Sequence, residues 1–139
     1  MSRRNPRTRR SECPLNAALE MVGDRWSLLI VRDLMLGGQR TYKAFLAGGE
    51  RIATNVLADR LARLEELGIL GSVRDPSDRR RIHYKLTAKG IDLAPVLIEL
   101  VLWAARHERT AAPKDLLDEM ANHRRRFLSR LKREWSAMR

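Results

Sequence analysis

Thr54-Asn55-Val56-Leu57-Ala58-Asp59-Arg60-Leu61-Ala62-Arg63-Leu64-Glu65-Glu66-Leu67 decides the fold, read together with residues 68–86. Leu57, Leu61 and Leu64 fall on one side of a helix with 3.6 residues per turn. Asn55, Ala58, Asp59 and Ala62 project from roughly the opposite side. Gly68 stops the helix, and the period then changes to two. Val73 lies in one short strand, while Ile82, Tyr84 and Leu86 alternate with Arg81, His83 and Lys85 in a second. Asp75-Pro76-Ser77-Asp78 supplies the turn between them, so the stretch predicts a helix followed by a β-hairpin with Arg79-Arg80-Arg81 beside its tip.

Three shorter helices precede this unit. Leu15, Ala18, Leu19 and Val22 recur at helical spacing until Gly23. Asp24 is the expected cap of a second helix, from Arg25 to about Leu36, with Trp26, Leu29, Ile30 and Leu34 on one stripe and Trp26 as a core anchor. Thr41 caps a third, turning Tyr42 and Phe45 inward, before Gly48-Gly49. After the hairpin, Thr87 starts a long helix expected to reach about His107, which Pro95 either bends or effectively begins. Its apolar residues surround nearly the whole circumference between Ile91 and Trp103, so a second chain is expected to cover part of it. Beyond Pro113, Leu116, Leu117, Met120, Phe127, Leu131 and Trp135 keep helical spacing beside a basic face.

The resulting fold class is mainly α with a small β-hairpin: a winged helix-turn-helix with long C-terminal dimerisation helices. Residues 1–12 form a basic flexible arm, 13–107 the winged unit with its dimerisation helix, and 108–139 a basic helical extension. A chain of 139 residues is one domain. Its 28 Lys and Arg against 17 Asp and Glu leave +11, which points to a polyanionic partner, nucleic acid before an anionic membrane surface. The composition, 44% hydrophobic and 32% charged, fits a soluble globular protein and excludes disorder throughout and a membrane bundle. The basic N-terminus has no apolar run after it and is no secretory signal. A lone Cys13 excludes an internal disulfide and fits a reducing cytoplasm.

A helix whose outward N-terminal residues are small or hydrogen-bonding fits the major groove of duplex DNA, and Thr54, Asn55, Ala58 and Asp59 qualify. Arg79, Arg80 and Arg81 are placed to meet phosphates or the adjacent minor groove, and Arg40 and Lys43 to clamp the backbone. Arg60 lies nearer the leucine stripe and is expected to pair with Asp33 or Glu65 rather than read bases. His83, His107 and His123 are far apart, no second thiol exists, and no glycine motif cradles a phosphate, so neither an enzyme, a metal site nor a cofactor is expected.

Several spaced motifs resemble the HxlR-type transcriptional regulators. They are Cys13-Pro14-Leu15, Gly23-Asp24-Arg25-Trp26-Ser27-Leu28-Leu29-Ile30, Arg32-Asp33-Leu34, Arg40-Thr41-Tyr42, Ile52-Ala53-Thr54-Asn55-Val56-Leu57, Asp75-Pro76, Arg79-Arg80 and Leu86-Thr87-Ala88-Lys89-Gly90. The resemblance covers residues 13–107; the chain departs from the family pattern beyond His107. It implies a homodimeric, repressing DNA-binding regulator in the bacterial cytoplasm, with Leu15, Leu19, Leu97, Val101 and Trp103 at the dimer interface. It also implies a small-molecule or electrophile inducer, with Cys13 as a redox sensor beside Arg9, Arg10 and a helix start; the alternative is a Cys13 that merely packs. The competing readings are a MarR-like ligand-responsive regulator, which the wing alone resembles, and a basic peripheral module that binds anionic surfaces.

Overall fold

The computed structural model describes residues 9–38 and 40–138. Residues 1–8 of the expected basic arm lie outside the described part. Among the described residues, eight helices and three strands run in the order α1 (Pro14–Val22), α2 (Ser27–Gly37), β1 (Arg40–Thr41), α3 (Tyr42–Leu46), α4 (Thr54–Glu66), β2 (Leu70–Arg74), β3 (Ile82–Leu86), α5 (Ala88–Ile91), α6 (Ala94–His107), α7 (Lys114–Asn122) and α8 (Arg124–Ala137). The strands form one antiparallel sheet in the order β1-β3-β2, with Leu70 opposite Leu86 and Val73 opposite His83. This is the winged helix-turn-helix that the residue pattern predicts.

The leucine stripe of α4 is the centre of the first core: Leu57, Leu61 and Leu64 are at most 1% exposed. They pack with Ile30, Val31 and Leu34 of α2, Phe45 of α3, and Leu70 and Leu86 of the sheet. Trp26 packs against this core while half-buried. At the end of α4, Gly68 takes a left-handed φ of +76°, which glycine adopts without the clash a Cβ brings. Thr87 then closes the junction, accepting from the Gly90 N–H at 3.1 Å and donating its hydroxyl proton to the Gly68 carbonyl at 2.5 Å. Gly90 is required by contact: a Cβ there would collide with the Ile69 carbonyl oxygen.

Three features differ from the expectation. β1 has no counterpart in the sequence pattern; it pairs Arg40 with Tyr84 and Thr41 with His83, adding a third strand to the hairpin. The single long helix after Thr87 is two, α5 and α6, and Pro95 stands in the first turn of α6, where a missing N–H costs no helical hydrogen bond. The C-terminal segment breaks at His123, whose extended φ of −133° separates α7 from α8.

That break lets the C-terminal pair fold back. Ala94, Ile98 and Leu102 of α6 form a second core with Met120, Phe127 and Leu131. Part of the apolar circumference of α6 is therefore covered by its own chain. Leu97 and Val101 pack within the chain, whereas Val96, Leu100 and Trp103 remain exposed, spaced four and three residues apart on one face. On α1, Leu15 and Leu19 are also exposed. Among the described residues no helix is long and apolar enough to cross a membrane.

At the far end, the Trp135 indole N–H donates to the Leu86 carbonyl at 2.8 Å, and Lys85 lies over its ring. Trp135→Phe keeps an aromatic ring and removes the donor, leaving a part-buried carbonyl unpaired. It should cost about 1 kcal/mol in urea unfolding. An unchanged midpoint would show that α8 does not brace the base of the wing.

Candidate nucleic-acid interface

Burying Leu57, Leu61 and Leu64 leaves only one direction for the other side of α4. Thr54, Asn55, Ala58 and Asp59 are all exposed, gathered in its first two turns. The hydroxyl, amide and carboxylate groups have donors and acceptors to offer a groove edge, and Ala58 keeps the surface low enough for close approach.

The start of α4 is held in place from α3. The Tyr42 hydroxyl donates to the Thr54 carbonyl at 2.9 Å. Thr41 caps α3 by accepting from the Ala44 N–H at 3.3 Å, as its position predicts. Between α3 and the wing lies an open cleft of about 330 Å³, lined by Thr41, Tyr42, Lys43, Arg80, Arg81, Asp78 and Ile82. Three cations and one anion therefore line a groove that is joined to the start of α4 through Tyr42, an arrangement suited to a phosphate backbone.

The structure does not bring every expected residue into this cleft. Arg79 is exposed at the wing tip outside it, and its carbonyl accepts from Arg74 Nη1 at 2.8 Å. Arg40 turns inward: it pairs with Asp33 at 3.4 Å and lies over the Phe45 ring. Cys13 is exposed directly before α1, away from α4 in the order of elements, with its carbonyl accepting from the Ala17 N–H.

The wing tip is built by its own carboxylates. Asp75 accepts from the Ser77 hydroxyl and N–H and from the His83 ring at 2.9 Å, and Asp78 accepts from the Arg80 N–H at 3.1 Å. The Ser77 hydroxyl first, then His83, holds the Asp75 carboxyl far below its ordinary range. Sequence reasoning misses Asp75, Arg74 and Tyr42 as functional positions; the Asp-Pro-Ser-Asp turn is the signal available for the first, since such carboxylates bond to backbone two residues on.

One expectation is corrected. Arg60 pairs neither with Asp33 nor with Glu65; its partners are Asp24 at 3.1 Å and Asp59 at 3.2 Å. Asp33 is engaged by Arg32 and Arg40, and Glu65 accepts from the Ser72 hydroxyl. The reason is how α4 crosses the chain: its inner arginines reach the α1–α2 region, Arg63 donating to the Glu20 carbonyl at 2.7 Å. Asp24 also accepts from the N–H groups of Trp26 and Ser27 and from the Ser27 hydroxyl.

The family profile described as HxlR-like helix-turn-helix matches residues 21–112. This chain belongs to the HxlR-like helix-turn-helix family. The matched stretch contains α4 and the whole wing. The chain is 41% identical over 86 residues to the HTH-type transcriptional regulator MT3179 of Mycobacterium tuberculosis, covering 62% of this chain and 53% of that protein. It thus spans about half the length of the mycobacterial relatives it matches. It is 34% identical over 93 residues to the HTH-type transcriptional regulator YodB of Bacillus subtilis, covering 66% of this chain and 82% of YodB. The solved reduced form of YodB superposes with a TM-score of 0.58 at 30% identity, over 68% of this chain and 93% of that one. The redox regulator HypR in its oxidized form shares the fold, with a TM-score of 0.63 at 22% identity, over 70% of this chain and all of HypR (100%).

The Asp24 cluster yields a stability test. Burial raises the Asp24 carboxyl, but the Ser27 hydroxyl, two backbone N–H groups and Arg60 outweigh it and hold the group below its ordinary value of 3.8. A depressed carboxyl contributes stability that is present above that value and lost as pH falls through the folded one. Asp24→Ala should therefore cost about 1 to 2 kcal/mol at pH 7, and less at about pH 3, by urea unfolding. An equal loss at both would contradict a carboxyl held below its ordinary value.

Proposed function

We propose that this protein is a sequence-specific, double-stranded-DNA-binding transcriptional regulator that acts as a homodimer and represses by occupying its operator. The observation that carries the reading is the exposed N-terminal face of α4, whose first residue Thr54 is bonded by Tyr42, a wall of the Lys43, Arg80 and Arg81 cleft. α4 enters the major groove, where Asn55 pairs with adenine and Thr54 and Asp59 meet neighbouring base edges. The wing cations meet the flanking phosphates. Family membership supports the DNA-binding role, and with it the proposed place beside the chromosome in the cytoplasm.

The homodimer is supported by the exposed apolar residues Val96, Leu100 and Trp103 on α6, with Leu15 and Leu19 on α1. Two copies related by a twofold axis address half-sites about one helical turn apart. In this arrangement residues 13–107 act as the DNA-binding and dimerising unit, and 108–139 brace it from behind.

Arg80→Ala and Arg81→Ala should each weaken binding to all sequences and flatten the plot of log affinity against log salt by about one unit. Asn55→Ala should instead lower preference at one base position by about 1 to 3 kcal/mol. Titrations on a fragment selected from genomic DNA measure both. A full salt slope in the arginine variants would overturn the division of roles.

A second reading adds a signal. Cys13 is exposed at the start of α1, and the solved relative YodB is known in reduced, diamide-treated and quinone-bound forms. We propose that oxidation or alkylation of Cys13 lowers operator affinity. Diamide or a quinone should then weaken binding by wild type and leave Cys13→Ser unaffected; equal responses in both, or none in either, would overturn the sensor role.

A further inference from the structure

Behind the DNA-facing side, the α7–α8 pair does not seal completely against α2 and α6. It leaves a pocket of about 390 Å³ open to solvent, with Met35 and Leu36 of α2, Leu97 and Val101 of α6, and Leu116 and Phe127 of the C-terminal pair among its walls. The volume falls in the range of small-molecule sites, and the lining is almost wholly apolar. Several walls, including Leu116 and Phe127, come from beyond residue 112, where the family match ends.

Among the described residues, Arg32 is the one charged group on the pocket. Its charge is already balanced. Nε and Nη2 donate to Asp33 at 3.1 and 2.9 Å, and Nη1 donates to Glu50 at 3.0 Å. An anionic occupant would add a further negative charge beside Asp33 and Glu50, which Arg32 and Arg40 together already balance. A guanidinium has five N–H donors, however, and these three bonds leave two for a neutral acceptor.

The face of α6 that lines the pocket is also not the exposed one. Leu97 and Val101 lie about a quarter-turn or more around the helix from the centre of the Val96, Leu100 and Trp103 stripe. A second copy seated on the exposed stripe would therefore meet α6 on a different face from Leu97 and Val101.

We propose that this pocket binds an uncharged, largely apolar small molecule with a single hydrogen-bond acceptor, its apolar body against Leu97, Val101 and Phe127 and its acceptor at Arg32. The site does not depend on the DNA-binding reading, and its test contains no DNA. The probe is prodan, a neutral naphthalene with one ketone acceptor and fluorescence that shifts blue on burial. It should bind saturably at one site per chain, with the same affinity at protein concentrations that favour monomer or dimer. The anionic naphthalene sulfonate ANS should bind the same site at least about tenfold more weakly.

Ala104→Trp fills the pocket from α6 and should weaken prodan about tenfold or more, with folding checked by circular dichroism. Should that variant fold poorly, Leu36→Glu, at a residue 58% exposed on the rim, brings a carboxylate to the mouth and should weaken prodan to a similar degree. Val73→Ser, on the exposed wing, should change nothing. Absence of saturable binding, retention of full affinity in the folded pocket variants, tighter binding of ANS, or loss of binding on dimer formation would each overturn the proposal.

Discussion

The burial of one face of α4 is the constraint on which the rest depends. Leu57, Leu61 and Leu64 are shut away by α2, α3 and the sheet, and burying such side chains stabilises the fold by about 1.5 to 3 kcal/mol each. A helix so anchored has no freedom to rotate, because a turn of even one residue would move a leucine into water and a polar group into the core. The opposite face is then presented to solvent without any force that acts on it directly. Tyr42 holds the start of α4, Arg60 and Arg63 tie its middle to the α1–α2 region, and Lys89 Nζ donates to the Leu67 carbonyl at its end. The face that we propose reads DNA points outward because its back is held.

How much of this is legible in the sequence differs by element. α4 and the hairpin can be read closely because their two periods, 3.6 and 2, each come from one face buried and one exposed. β1 cannot. Two residues carry no period, and Arg40-Thr41 becomes a strand only because the free edge of β3 is beside it. The α5–α6 break is half legible: Pro95 marks the place, but whether the helix bends or restarts is decided by the packing of Leu93 and Ala94 into different cores at the junction. The apolar circumference of α6 is too much for a small domain to leave in water, and the sequence shows that much. What the pattern does not show is that α7 and α8 return to cover one part of it.

Charge is legible in amount and much less in place. Of the arginines marked for DNA, Arg80 and Arg81 reach the cleft with Lys43, whereas Arg40 is taken up by Asp33 and the Phe45 ring. Arg32 and Arg60 likewise serve to join elements. A basic excess of +11 therefore divides into cations that brace the fold and cations left to meet a polyanion, and only three-dimensional contacts sort the two.

Dimethyl sulfate protection of a bound genomic fragment asks most directly whether the outward face of α4 reads DNA. The reagent methylates guanine N7 in the major groove, so a helix lying there shields it. The expected result is two protected patches, about 10 base pairs apart from centre to centre. Unprotected guanines throughout a fragment that the protein binds tightly would contradict it.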